Sequence, residues 1–328
     1  MCLVSVIIVN WNGRHFLQEC LDSVLTQGFA DFEVIVVDNG SSDGSSEFIR
    51  NNYHSVKLVC LAENRGFTGG NLAGYDVALG QYIALLNNDT QVDGAWLKSL
   101  VGIMQTQPDV GICASRIIID GTNLIDSAGD MMTTAFSGTK VGHRQPASLY
   151  EESRTVHGGC AAAILYRKCM LDQIGFLDDD FFFNHEDTDL NMRAWLAGWK
   201  CEYVPEAVVY HKVSGSIGHL SAGTVYYFSR NSLWVLIKNI PLPVMFLCLP
   251  QRILYEAASF VYYCLMHGQW RSYVRGKYDA IKGIPKMWRK RKQYSVNRKL
   301  KNREILRSLL PITRYIFERI NAKEKLSV

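Results

Sequence analysis

The sequence predicts an α/β fold with a mainly parallel, doubly wound sheet, followed by a helical, basic C-terminal extension. Three observations predict it. Short apolar runs alternate four times with segments of helical periodicity, the pattern of parallel strands joined by crossover helices. The runs are apolar throughout, as in strands covered on both faces. Charge is also split along the chain: residues 1–229 hold 14 Lys and Arg against 26 Asp and Glu, whereas residues 230–328 hold 21 against 5. That split suggests two regions, 1–220 and 221–328, the second facing an anionic partner.

Composition narrows the class. With 48% apolar and 20% charged residues the 328-residue chain is globular, not disordered. Its nine cysteines are odd in number and include no CxxC pair, so neither a zinc site nor a disulfide framework is expected. A reducing cytosol is the expected compartment. The start, LVSVIIVN, lacks the basic segment and cleavage site of a secretory signal.

In order, Val4–Asn10 is a buried strand ending in Asn10-Trp11-Asn12-Gly13. Phe16, Leu17, Cys20, Leu21, Val24 and Leu25 recur at helical spacing, giving a helix over 14–26. Glu33–Asp38 is a second strand, ending in the turn-rich run Asn39-Gly40-Ser41-Ser42-Asp43-Gly44. Val56–Leu61 is a third, followed by the loop 63–71 and a helix near 70–79. Tyr82–Leu86 is a fourth strand, and a helix over 94–106 follows it. Val110–Ile119 is the next strand. Residues 120–155 are loop-rich with room for a hairpin, and Cys160–Tyr166 returns to a buried strand. A helix over Asp187–Ala197 precedes two short strands, near 200–204 and 207–210.

The chemistry-bearing residues sit where strands end. Asp38 is placed to accept from a nucleobase or ribose, or else to cap the turn that follows. Asn64 and Arg65 open a glycine-rich loop, which is either a phosphate clamp or a solvated turn. The run Tyr82–Thr90 passes from apolar residues to Asn87-Asn88-Asp89-Thr90. Oxygen ligands there suit Mg²⁺ or Mn²⁺ and a diphosphate, while the alternative is an N-cap for the 94–106 helix. Glu186 and Asp187 open a helix. A carboxylate there is favoured by the dipole, and it either caps or takes a proton. Asp189 lies four residues before Arg193 and is read as a helix ion pair. His211 closes a strand, and spacing alone does not bring it to Asp89.

Taken together, VSVIIVNWNG, EVIVVDNGSSDGS, ENRGFTGGNLAGY, YIALLNNDT, HGGCAAAILYR and FFFNHEDTDLNMRAWLAGWKCEYVPEAVVYH resemble, in order over about residues 3–212, the inverting family 2 glycosyltransferases of GT-A fold. Within them the chain is similar to the rhamnosyltransferase-like branch. The resemblance implies a nucleotide-sugar pocket lined by Asn10, Asp38, Asn64, Arg65 and Asn88. It implies Gly158 and Gly159 at the border of acceptor and donor sugar. Asp89 corresponds to the last position of the family's metal-binding D-x-D, with Asn87 at the first, and His211 to a further ligand position. Asp187, with Glu186 beside it, falls at the general base. The implied reaction is transfer of a sugar, L-rhamnose from dTDP-rhamnose first, to a lipid-linked or cell-surface glycan with a divalent cation, Mg²⁺ or Mn²⁺. A sugar nucleotidyltransferase and a non-catalytic nucleotide-sugar scaffold are the alternatives.

In the tail, Pro241, Pro243, Pro250, Arg252 and Glu256 interrupt the apolar stretch 240–266, so no membrane span is expected. Tyr255, Phe260, Val261, Tyr262, Tyr263, Leu265 and Trp270, beside Arg271, Arg275, Lys277 and the Arg289-Lys290-Arg291-Lys292 run, predict helices lying on an anionic membrane surface. The expected location is the inner face of the cell membrane. A soluble helical appendage that packs on itself or on a second subunit, as in a homodimer, is the alternative; nucleic acid is not an expected partner.

Overall fold

The computed structural model describes residues 2–213 and 220–313. Residues 214–219, at the expected boundary between regions, and the tail beyond 313 lie outside the described residues.

The strands, in chain order, are β1 (Val4–Asn10), β2 (Phe32–Asn39), β3 (Lys57–Leu61), β4 (Tyr82–Asn87), β5 (Thr90–Val92), β6 (Val110–Ile119), β7 (Ile125–Ser127), β8 (Asp130–Met132), β9 (Gly138–Lys140), β10 (Arg154–Val156), β11 (Ala163–Arg167) and β12 (Lys200–His211). The main sheet runs β10-β12-β6-β11-β4-β1-β2-β3, with β5 on β12 and β7 on β6. The ladders β3-β2-β1-β4 are parallel, as expected of the alternating half of the sequence. Beyond β4 the sheet is mixed: β11 is antiparallel to both β4 and β6, while β12 lies parallel to β6.

Helices α1 (Arg14–Leu25), α2 (Ser45–Asn52), α3 (Gly66–Tyr75), α4 (Trp96–Thr106), α5 (Lys168–Ile174) and α6 (Glu186–Leu196) belong to the same half of the chain. Leu17, Leu21 and Val24 of α1 and Trp96, Leu97 and Leu100 of α4 share one buried cluster with Val6, Ile8, Val36 and Ala84 of the sheet. Helix α3 covers the other face. A side chain at Gly70 or Gly74 would meet Val9 or Ile7 at 2.6 and 2.5 Å, so these glycines let α3 lie directly on β1. This close approach carries the helix from residue 66, earlier than the apolar periodicity indicates.

The two short strands expected near 200–204 and 207–210 form one strand. Its register against β6 slips between Val204 and Val208, around Pro205, which has no N–H to give the ladder.

The chain divides into two compact units: Met1–Asp130 with Lys140–Trp195 and Trp199–Ser216, and Met131–Thr139 with Leu196–Gly198 and Ile217–Val328. Described helices of the second are α7 (Ala222–Asn239), α8 (Leu242–Leu247), α9 (Leu249–Phe260), α10 (Trp270–Lys282), α11 (Ile284–Ser295) and α12 (Asn302–Ser308), with a π-helical turn over Val261–Met266. Val225 of α7, Tyr263 and Cys264 of the π turn and Tyr273 of α10 make one core. Tyr263 is therefore a core residue, not the surface residue expected of it. Lys277, expected among the surface cations, pairs with Glu256 at 2.7 Å. Among the described residues no helix is long and apolar enough to cross a membrane.

Candidate active site at the carboxyl edge of the sheet

The parallel register aligns the polar ends of the strands. Asn10 stands opposite Asp38 across β1 and β2, and Val9 opposite Asn87 across β1 and β4. The Asn88 amide donates to Asn10 Oδ1 at 2.8 Å, and Asn10 Nδ2 donates to Ser41 Oγ at 3.3 Å. Asp38 accepts from the Ser46 hydroxyl, while its Oδ1 is buried with no hydrogen-bond partner. A buried carboxylate oxygen without a donor is costly unless a ligand supplies one. Asp38 thus keeps one acceptor that the surrounding protein does not use.

Asn39, which sequence reasoning passed over, shapes the neighbouring loop. Its amide donates to Asn64 Oδ1 at 3.0 Å and to the Gly66 carbonyl at 2.9 Å, and its Oδ1 accepts from Arg65 N at 2.9 Å. Asn64 Oδ1 also accepts from Gly66 N at 2.8 Å, so this oxygen holds the loop together. Arg65 is exposed, with a loose 3.9 Å contact to Asp179, and its guanidinium is available to an anion.

Asp89 does not cap α4. Asp93 accepts from Ala95 N at the start of that helix instead. The short strand β5 pairs antiparallel with the end of β12, setting Thr90 against His211. That pairing brings Asp89 Oδ1 within 3.3 Å of His211 Nε2, a meeting that sequence spacing did not reveal. His211 Nδ1 lies 2.9 Å from Asp126 Oδ2. Burial pulls the imidazole down, but the hydrogen bonds to Asp126 and Asp89 outweigh it and raise its pKa to about 9. Asp126 is buried, and Lys140 Nζ donates to both its oxygens at 2.8 and 2.9 Å. Burial works against its charge, yet His143, His211 and Lys140 hold it well below the usual carboxylate range.

A carboxylate oxygen and an imidazole nitrogen 3.3 Å apart would fit Mn²⁺ once Nε2 gives up its proton, while Mg²⁺ would draw mainly on the carboxylate. Among the described residues no group of three or more His, Cys, Asp or Glu side chains is arranged to hold a metal ion by itself, so any remaining ligands would come from a diphosphate or water.

Glu186 and Asp187 begin α6 after a backbone that turns left-handed at Phe182, Asn184 and His185 (φ 62°, 66° and 68°). Asp187 Oδ2 accepts from Ala161 N at 3.4 Å and Oδ1 from Thr188 N at 2.6 Å. Burial raises its pKa, against the hydrogen bonds from Thr188 and Ala161 and the charge of Lys140. Glu186 is pushed up to about 8 by burial and then by the charge of Asp187, and its Oε2 has no hydrogen-bond partner. Asp130, another residue missed in sequence, is raised to about 7 by burial and by Asp187.

The 158–161 loop is held against α6 from the other side. Asn191 donates to the Gly159 carbonyl at 2.8 Å, and a Cβ at Gly158 would sit 2.5 Å from the Asn191 side chain. Asp189 forms a buried 2.9 Å pair with Arg193, whose guanidinium also donates to the carbonyls of Ile174, Gly175 and Phe176. It is structural, as its spacing indicates.

Asp126, Lys140 and His143 escaped sequence reading because they lie in the loop-rich 120–155 segment. The one signal was IDS, a carboxylate between apolar and small residues in a three-residue strand.

Residues 5–175, more than half of the chain, match the family described as Glycosyl transferase family 2. The chain belongs to that family. Among its relatives, an uncharacterized glycosyltransferase of Nostoc sp. is 26% identical, over 67% of this chain and 68% of its own length. The N-acetylglucosaminyl-diphospho-decaprenol L-rhamnosyltransferase of Mycobacterium tuberculosis is 25% identical over 71% of this chain and 86% of its own. A poly-β-1,6-N-acetyl-D-glucosamine synthase of Staphylococcus epidermidis is 25% identical, and the chain spans only 52% of that protein's length.

Solved structures agree on the fold of this family 2 glycosyltransferase. S. aureus TarS residues 1–349 match with a TM-score of 0.55 at 13% identity, covering 91% of this chain and 93% of TarS. The Pyrobaculum calidifontis mannosyltransferase crystallised with GDP-Man and Mn²⁺ matches at 0.54 and 15%, covering 90% and 85%. The fold is therefore GT-A, and the protein is a glycosyltransferase acting on nucleotide sugars.

Proposed function

We propose that this enzyme is an inverting transferase that moves a sugar, with L-rhamnose from dTDP-rhamnose as first choice, to a hydroxyl of a lipid-linked or cell-surface glycan. The single observation that carries the reading is the convergence of Asp89 and His211 at the strand edge that also presents the unsatisfied Asp38 oxygen. The rhamnose preference rests on the similarity to the mycobacterial rhamnosyltransferase.

In this reading Asp38 and Asn10 bind the nucleoside, and Arg65 neutralises the diphosphate as it leaves. Asp89 and His211 hold the divalent cation, which, when bound, supplies further positive charge to the leaving diphosphate. Asp187, lying against the Ala161 amide, takes the proton from the acceptor hydroxyl in line with bond-making. One base and one displacement invert the anomeric centre. Gly158 and Gly159 border the sugars beside that base, and their lack of side chains lets this backbone lie close to Asn191 and Ala114.

The second unit, in this reading, rests on an anionic membrane. Trp270, Val274, Tyr278 and Ile281 form an exposed stripe along α10, while Tyr273, Gly276 and Ala280 are buried on its other side. Guanidinium and ammonium groups lie over the rim aromatics, Arg271 on Trp270 and Lys282 on Tyr278. An apolar stripe edged with cations and aromatics suits a headgroup interface.

A thermal-shift screen of dTDP-rhamnose, UDP-galactofuranose, UDP-glucose and UDP-N-acetylglucosamine, each with and without Mn²⁺, tests the donor site. The reading expects one donor to raise the melting temperature most, and more so with Mn²⁺. No shift with any of them would contradict it.

A further inference from the structure

We propose that Asp126 is a positioning residue for the cation site, fixing the His211 imidazole so that Nδ1 carries a proton toward Asp126 and Nε2 is the nitrogen offered beside Asp89. The proposal rests on the reading of Asp89 and His211 as cation ligands.

The geometry is specific. The Asp126 side chain is fully buried, and His211 Nδ1 meets its Oδ2 at 2.9 Å while Nε2 faces Asp89 Oδ1 at 3.3 Å. The imidazole is thus held at both nitrogens by two carboxylates from different elements, β7 and the β4–β5 turn. Asp126 has a second cation besides His211: Lys140 reaches both carboxylate oxygens, and His143 Nδ1 lies 3.0 Å from its backbone carbonyl.

A carboxylate that needed only burial and a counter-ion would be satisfied by Lys140. The bond to His211 therefore adds orientation. A ring that ligates through one nitrogen needs its other N–H anchored, which fixes both the tautomer and the ring plane, and an anionic anchor makes the ligating nitrogen a stronger donor. The register of the sheet makes this pairing rigid: β7 is laddered to β6, β6 runs parallel to β12, and Asp120 N donates to the His211 carbonyl at 2.9 Å.

The test titrates Mn²⁺ into the full chain with saturating UDP or, in a second arm, dTDP, reading free Mn²⁺ by electron paramagnetic resonance. Asp126→Asn keeps the size of the side chain and removes its charge. The expected result is an affinity about 10- to 100-fold weaker than wild type, with metal-free nucleotide affinity unchanged and the variant still folded by circular dichroism at the assay temperature. If Asp126→Asn binds Mn²⁺ within about twofold of wild type while His211→Ala loses it, the positioning role is overturned and the ligand reading stands. If His211→Ala also binds like wild type, the ligand reading itself fails, and the positioning role with it.

A second measurement needs no variant. In ¹⁵N-histidine NMR of the native chain, with Cd²⁺ as a diamagnetic stand-in, Nε2 of His211 is expected to shift on addition of the metal while Nδ1 keeps its proton. Loss of the Nδ1 proton instead would overturn the proposal.

Discussion

At the scale of single residues, Asp89 stands out in sequence because it follows an apolar strand that has no packing need for it. Asp187 reads as a helix cap from its surroundings alone, and as a general base only through the family resemblance. Asp126 was not visible, since its importance comes from contacts with His211, Lys140 and His143 that lie 85, 14 and 17 residues away. The environment of Asp187 carries a kinetic consequence. Burial raises its pKa above the ordinary 3.8, so its ionised, proton-accepting form gains population only at higher pH. The transfer rate is expected to rise with pH along a limb displaced upward from the usual aspartate range. Initial rates measured from pH 3 upward check this, and a limb at the ordinary aspartate value would contradict it.

At the scale of elements, α6 is fixed by the Asp189–Arg193 pair and its three carbonyl contacts. Removing one partner of such a buried pair leaves an uncompensated charge, so Asp189→Ala is expected to lose about 3–5 kcal/mol in chemical denaturation. An unchanged midpoint would show the pair to be dispensable. The strands and most helices could be read from apolar runs because both faces of the sheet are covered. The exceptions have local causes: Pro205 suggested two strands where a bulged one runs on, and the glycines of α3 hid how early that helix begins. In the mixed half of the sheet β6 and β11 were legible as apolar runs, whereas β5, β7 and β10 were not, being three residues each.

Helix α10 is the other element with a direct test. Its periodicity was legible, but only the fold separates the buried Tyr273 side from the exposed Trp270–Ile281 stripe. Replacing Val274 and Ile281 by glutamate is expected to abolish flotation with vesicles containing anionic lipid while leaving the far-ultraviolet circular dichroism unchanged. Flotation of the wild type is expected to fall as salt is raised. Equal binding by wild type and variant would remove α10 from the interface.

For the whole molecule, the titrating groups of the site set stability against pH. Glu186, His211 and Asp130 all have raised folded pKa values, about 8, 9 and 7. A raised value favours the protonated folded form, so this contribution is present at low pH and is lost as pH rises through the folded pKa. His157, lowered to about 4 by burial, acts in the opposite sense, but only up to its ordinary value of 6.5. Between about pH 6.5 and 9 the melting temperature is therefore expected to fall. Glu186→Gln should flatten that fall, and a variant with the wild-type slope would assign it elsewhere.

The measurement that tests the central claim most directly is the single-turnover rate of sugar transfer by purified Asp187→Asn beside its donor affinity. The substitution preserves shape and leaves the Asp38, Arg65, Asp89 and His211 surroundings intact. The account predicts unchanged donor binding and a transfer rate lower by on the order of 10²–10⁴. Turnover near that of the wild type would contradict it.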